Sequence, residues 1–152
     1  MKSLKLYITE ALHINKDTKG DYYNYHPKTK DELEELVKKL IKERGNNANL
    51  NDIDTSEITD MSYVFYNTKF NGDISEWDVS NVQNMGCMFY DSQFNGDISE
   101  WNVSNVKGMS YMFYYSKFNG DISEWDVSNV KYMKRMFVDS PLENNPPIWY
   151  KE

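Results

Sequence analysis

Oxygen-bearing side chains recur at one spacing along this chain. Asp52, Glu76, Glu100 and Glu124 stand 24 residues apart, and so do Asp54, Asp78, Asn102 and Asp126, with Ser56, Ser80, Ser104 and Ser128 beside them. Carboxylates in such columns could work as an acid and base pair, hold a hard cation, or attract a basic surface. A catalytic pair needs one carboxyl in surroundings unlike its partner's, so that the two pKa values separate. Here the units are near copies, and no single pair stands out. Calcium takes oxygen ligands of this kind, but neither the calcium-binding nonapeptide of parallel β-rolls nor a helix-loop-helix calcium loop is present. Asp73, Asp97 and Asp121 are expected instead to accept backbone hydrogen bonds in turns. The remaining chemistry is electrostatic. Glu76, Asp78, Glu100, Asn102, Glu124 and Asp126 are the expected partner-binding residues, set against the simpler reading of a solvated face.

Other catalytic signatures are missing. His13 and His26 have no second His or Cys at metal-ligand spacing, and no nucleophile elbow, phosphate loop or zinc-protease helix occurs. A non-enzyme without cofactor or metal is expected. Cys87 is the one cysteine, so no disulfide forms within the chain. The opening MKSLKLYITEALHIN is interrupted by Lys5, Thr9, Glu10 and His13, unlike a signal peptide, and no stretch has the length of a membrane span. A cytoplasmic protein is expected, with the cell surface as the alternative.

Charge is unevenly divided. Residues 1–49 hold ten Lys and Arg against eight Asp and Glu, whereas residues 50–152 hold seven against sixteen. An acidic repeat region repels phosphate backbones and attracts basic proteins, so direct nucleic-acid binding is not expected.

The elements that must position these acids repeat with them. Trp77, Trp101, Trp125 and Trp149 fall in one column, and Phe65, Phe89, Phe113 and Phe137 in another. A fixed period of this length marks a solenoid whose units bury their apolar faces only by stacking. Units begin near Leu50, Ile74, Ile98 and Ile122, and a truncated cap covers residues 142–152, where Leu142 and Trp149 keep their columns while Pro146 and Pro147 interrupt them. The alternation in Glu76-Trp77-Asp78-Val79-Ser80 predicts a short strand with Trp and Val inward. Buried indoles are favoured over an aromatic ligand platform on that ground. Asn71-Gly72-Asp73 and its copies predict turns in which Gly takes positive φ. The spacings in Val82 to Phe89 predict one or two helical turns on the return leg. Tyr63, Tyr66, Tyr90, Tyr111, Tyr114 and Tyr115 on that leg suit either a binding surface or packing over the core.

Residues 1–49 read as a helical cap on a single structural domain. Ser3 could begin one helix carrying Leu4, Tyr7, Ile8, Ala11 and Leu12 on one face. Asn15 to Pro27 reads as a loop or short extended piece. Thr29-Lys30-Asp31-Glu32 is a capping box that opens a second helix, with Leu33, Leu36, Val37, Leu40 and Ile41 on one face and Gly45 ending it.

The units FNGDISEWDVSNV, FNGDISEWNVSNV and FNGDISEWDVSNV, each followed by a spacer and Met-Phe-Tyr or Met-Phe-Val, resemble the BspA-type leucine-rich-repeat family, whose repeats also occur in mycoplasma surface lipoproteins. The resemblance covers about two-thirds of the chain. It implies an α/β fold, a leucine-rich-repeat-like right-handed solenoid with short parallel strands capped by N-terminal α-helices, and a binding role. The expected function is a non-catalytic protein–protein interaction module that uses its acidic strand face on a basic protein. Two alternatives follow from the family: a bacterial surface adhesin fragment binding host protein or glycan, and a phage-encoded structural or host-defence-antagonising protein.

Overall fold

The computed structural model describes residues 22–152. The helix expected from Ser3 lies outside them, as does His13. One helix follows, α1, Lys30–Arg44. Its start is the expected one: Thr29 accepts from the Glu32 N–H at 3.2 Å, and the Glu32 carboxylate reaches back to the Lys28 N–H at 2.6 Å. Asp31 and Glu32 in the first turn and Lys42 and Arg44 in the last complement the helix dipole. Gly45, at φ 90°, ends it and donates to the Ile41 carbonyl. Leu33, Val37 and Leu40 are buried against the repeat.

The expected α/β solenoid of short parallel strands does not form. Among the described residues there is one α-helix and no strand or sheet, only five isolated parallel bridges, such as Asn49↔Asp73 and Asn84↔Gly108. Corners are the physical reason. Ser75 N–H donates to Asp73 Oδ1 and Ser80 N–H to Asp78 Oδ1, and each of these Asx contacts leads into a tight turn, Trp77 N–H to the Ile74 carbonyl and Val82 N–H to the Val79 carbonyl. Between those turns too few residues remain extended to make a strand. Further corners follow at Asn84, whose Oδ1 accepts from Gly86 N–H, and at Ser92, whose hydroxyl accepts from Phe94 N–H. The inward residues Ile74, Trp77, Val79, Val82, Met85 and Met88 point into the core from successive sides of these turns.

No helical turn forms on the return leg either. Tyr63, Cys87, Tyr111 and Arg135 have φ between 51° and 65°, and Asn67, Asp91, Tyr115 and Asp139 between 50° and 56°. Left-handed residues at these two positions break any helical run. They turn alternate N–H groups toward the next unit: Met61 donates to Asn84, Tyr63 to Gly86, Phe65 to Met88 and Asn67 to Tyr90, all at 2.8–3.2 Å.

Units are thus joined differently on their two sides. The return leg uses backbone to backbone. The other side has backbone bonds at its first junction, such as Leu50 N–H to the Asp73 carbonyl, and is otherwise joined by side chains: Trp77, Trp101, Trp125 and Trp149 donate Nε1–H to the carbonyls of Leu50, Ile74, Ile98 and Ile122 at 2.9–3.2 Å. Asn81, Asn105 and Asn129 donate Nδ2–H to the carbonyls of Ser56, Ser80 and Ser104. Trp77, Trp101 and Trp125 are buried, as the inward reading requires.

The core is a pair of interleaved ring stacks. Phe65, Phe89, Phe113 and Phe137 follow one another at 5.5–5.8 Å, and Phe70, Phe94 and Phe118 at 6.2–6.3 Å. Phe89 lies 4.6 Å from Phe94, and Phe113 lies 4.4 Å from Phe118, which locks the stacks together. Each buried Phe contributes about 1.5–3 kcal/mol by leaving water. The glycine of Asn-Gly-Asp serves this stack. Gly72, Gly96 and Gly120 do not have positive φ; a Cβ at Gly96 would stand 2.7 Å from the Phe94 ring, and one at Gly120 would stand 2.6 Å from the Phe118 ring. Close approach, and not φ freedom, is what excludes a side chain there. The last unit closes with Leu142 buried and Trp149 stacked 6.4 Å from Trp125.

Candidate functional site

The acids divide by what the chain does with them. In the first unit they meet this chain's own cations and amides. Tyr25 bridges Ile53 in parallel, with Asn24 N–H on the Asp52 carbonyl and Asp54 N–H on the Tyr25 carbonyl. That pairing lines up alternate side chains. Asn24 donates to Asp52, His26 Nδ1 lies 3.3 Å from Asp54 Oδ2, and Lys28 pairs with Glu57. From the end of α1, Arg44 grips Asp52 with both nitrogens at 2.9 and 3.0 Å. The guanidinium holds the Asp52 carboxyl below its ordinary range. Burial pushes Asp54 up, but hydrogen bonds from Ser56 and the contact with His26 outweigh it and leave that carboxyl lowered.

In the later units, the second column is structural. Asp78 Oδ1 accepts from the Ser80 N–H at 3.0 Å, Asp126 Oδ1 from the Ser128 N–H at 3.0 Å, and Asn102 Oδ1 from the Ser104 N–H at 3.1 Å and its hydroxyl at 2.6 Å. An amide oxygen fills the position as well as a carboxylate, so acceptance at a corner, and not charge, is what the position requires. Asp73, Asp97 and Asp121 make the same contacts with Ser75, Ser99 and Ser123, as the sequence predicts. The serine hydrogen bonds hold Asp97, Asp121 and Asp126 below the ordinary carboxylate range.

Glu76, Glu100 and Glu124 stand at the outer positions of the Ile74–Trp77 turn and its copies, exposed. Among the described residues, neither Glu100 nor Glu124 forms an ion pair. No group of three or more His, Cys, Asp or Glu there could hold a metal ion, and no helix there is long and apolar enough to cross a membrane. The six predicted residues stand as a row of glutamates beside a row of corner residues.

A second surface runs along the return leg. Tyr66, Tyr90 and Tyr114 stack at 5.1 and 5.0 Å, closer than successive members of the Phe65, Phe89 and Phe113 column. Tyr63 tilts against Tyr66, and Tyr111 and Tyr115 tilt against Tyr114. Tyr63, Tyr66 and Tyr115 remain 48–49 % exposed. The sequence leaves these residues between binding and packing; the structure makes them a ladder of their own at the surface.

A family model described as a Mycoplasma protein of unknown function, DUF285, matches residues 32–149. The chain belongs to the DUF285 family. Comparison with curated proteins and with solved structures finds no match. The matched span begins in α1 and ends at Trp149, so it takes in every unit whose contacts are described above.

Proposed function

We propose that this DUF285 member is a non-catalytic protein-interaction module whose glutamate row receives a basic protein. One observation carries the reading. In the first unit Asp52, which opens this row, is gripped by Arg44, whereas Glu100 and Glu124 two and three units on are exposed and meet no cation among the described residues. The chain itself supplies an example of what this row accepts: at its first position Asp52 takes both guanidinium nitrogens of Arg44 and the amide of Asn24. The excess of acids over bases in residues 50–152 adds long-range attraction for such a partner. Asp78, Asn102 and Asp126 support the row by fixing the corners and are not themselves the recognition groups. Kinship to BspA-type repeat proteins, at the level of the repeated units and not of a leucine-rich-repeat sheet, belongs to the same proposal.

The test is titration of the full chain with an oligolysine peptide near physiological salt. E100K/E124K should weaken binding roughly ten-fold, with the melting temperature close to that of the parent, and parent binding should fall as salt rises. Equal affinity of parent and variant would remove the glutamate row from the function.

A further inference from the structure

We infer that the tyrosine ladder is a second contact surface, where Tyr111 and Tyr115 seat Arg or Lys side chains of a protein partner. This rests on the reading that the partner is basic, and names a different surface for it. The first observation is the backbone. Tyr111 and Tyr115 occupy left-handed positions, at φ 58° and 56°. At the position of Tyr115 the other units carry Asn67, Asp91 and Asp139, the residue types that tolerate this conformation best. Tyrosine there is half exposed, so burial returns little for the strain. Tyr115 packs edge-on against Tyr114 at 4.6 Å but keeps half its surface open, so the strained backbone points to what that open part touches.

Ring geometry gives the second observation. Tyr66, Tyr90 and Tyr114 cover one another's faces, at interplanar angles of 24° and 17°. Tyr111 and Tyr115 stand at 62° and 85° to Tyr114, and so do not lie face to face in the stack. A cation over such a face is held by the ring quadrupole, and guanidinium suits it best.

The third observation is a precedent within the chain. Lys30 of α1 places Nζ 5.5 Å from the centre of Tyr63, the same position as Tyr111 two units earlier. Among the described residues no Lys or Arg stands over Tyr111 or Tyr115 in this way. Exposed Asp91 and Asp139 border the ladder and complement a cation, and Arg135, next in the Tyr111 column, marks its C-terminal limit.

The experiment is calorimetric titration of the full chain with nona-arginine, with nona-glutamate as control. Y111S/Y115N should bind nona-arginine at least five-fold more weakly at an unchanged melting temperature, and Y111F/Y115F, which keeps the rings, should bind like the parent. K30A, which uncovers Tyr63, should tighten binding. Parent affinity in Y111S/Y115N, or no binding of nona-arginine by the parent, overturns the proposal. E100K/E124K separates it from the reading it rests on: if that variant binds like the parent while Y111S/Y115N is weakened, the glutamate row fails and the ladder stands.

Discussion

One of the two inner ring stacks and the outer tyrosine ladder are spaced almost alike. Phe65, Phe89 and Phe113 stack at 5.5 Å with no exposure, whereas Tyr66, Tyr90 and Tyr114 stack at 5.0 and 5.1 Å at the surface. Stacking distance is therefore not what separates a structural ladder from a functional candidate; both inherit it from the height of one unit. What differs is the surroundings. The inner ladder is enclosed by the Trp column and by the second Phe stack. The outer one has left-handed backbone beneath it and water above it. The first should be needed for folding and the second should be dispensable for it.

The largest effect should come from the inside. Trp101→Ala removes a buried indole together with its hydrogen bond to the Ile74 carbonyl, and should cost about 3–5 kcal/mol, read as a drop in the denaturant midpoint. An unchanged midpoint would erase the contrast between the ladders.

A smaller effect tests the corners that set both ladders in place. Asp97→Ala loses the acceptor for the Ser99 N–H and hydroxyl and should cost about 1 kcal/mol. Asp97→Asn should keep the turn, as Asn102 does, but lose its acid dependence. The folded-state pKa of Asp97 lies below its ordinary value of 3.8, so its stabilising contribution is present above that pH and is lost as pH falls through the lowered value. Thermal melts taken from about pH 5 to below 3.8 should show a flatter pH profile for the Asn variant than for the parent. Identical profiles would mean that the serine contacts do not bear on stability.

The smallest effect belongs to the outside. Tyr115→Asn should change stability by less than about 0.5 kcal/mol in either direction, because asparagine accepts the left-handed backbone that tyrosine only tolerates. A loss on the scale of the Trp101 variant would make the outer ladder part of the core.

Much of this was legible in the sequence, and the failures have a common cause. The buried columns and α1 with its Thr29 cap follow from periodicity and local capping, which a sequence displays directly. The corner at Asp73 reads as a turn, but the one at Asp78 is hidden. Glu76-Trp77-Asp78-Val79-Ser80 alternates like a strand, yet Asp78-x-Ser80 carries the same Asx-turn signal as Asp73-x-Ser75, and hydrogen bonds two residues apart prevail over polarity alternation. On the return leg the Asn67, Asp91 and Asp139 column was the visible sign of left-handed backbone, obscured by tyrosine at Tyr115. The docking of residues 24–28 on the first unit joins positions about 28 residues apart without sharing the repeat, and nothing local announces it.

The backbone pairing on the return leg decides how such a chain can change in length. Met61, Tyr63, Phe65 and Asn67 meet the next unit in the same register as Met85, Cys87, Phe89 and Asp91 meet the one after, so one junction can replace another, but only at one offset. Excising residues 85–108 would join Asn84 to Met109 and let Phe65 meet Phe113 as a new neighbour. One residue more or fewer would set the return-leg donors against the wrong carbonyls. Extension and shortening of this molecule are quantised, and the quantum is a whole unit.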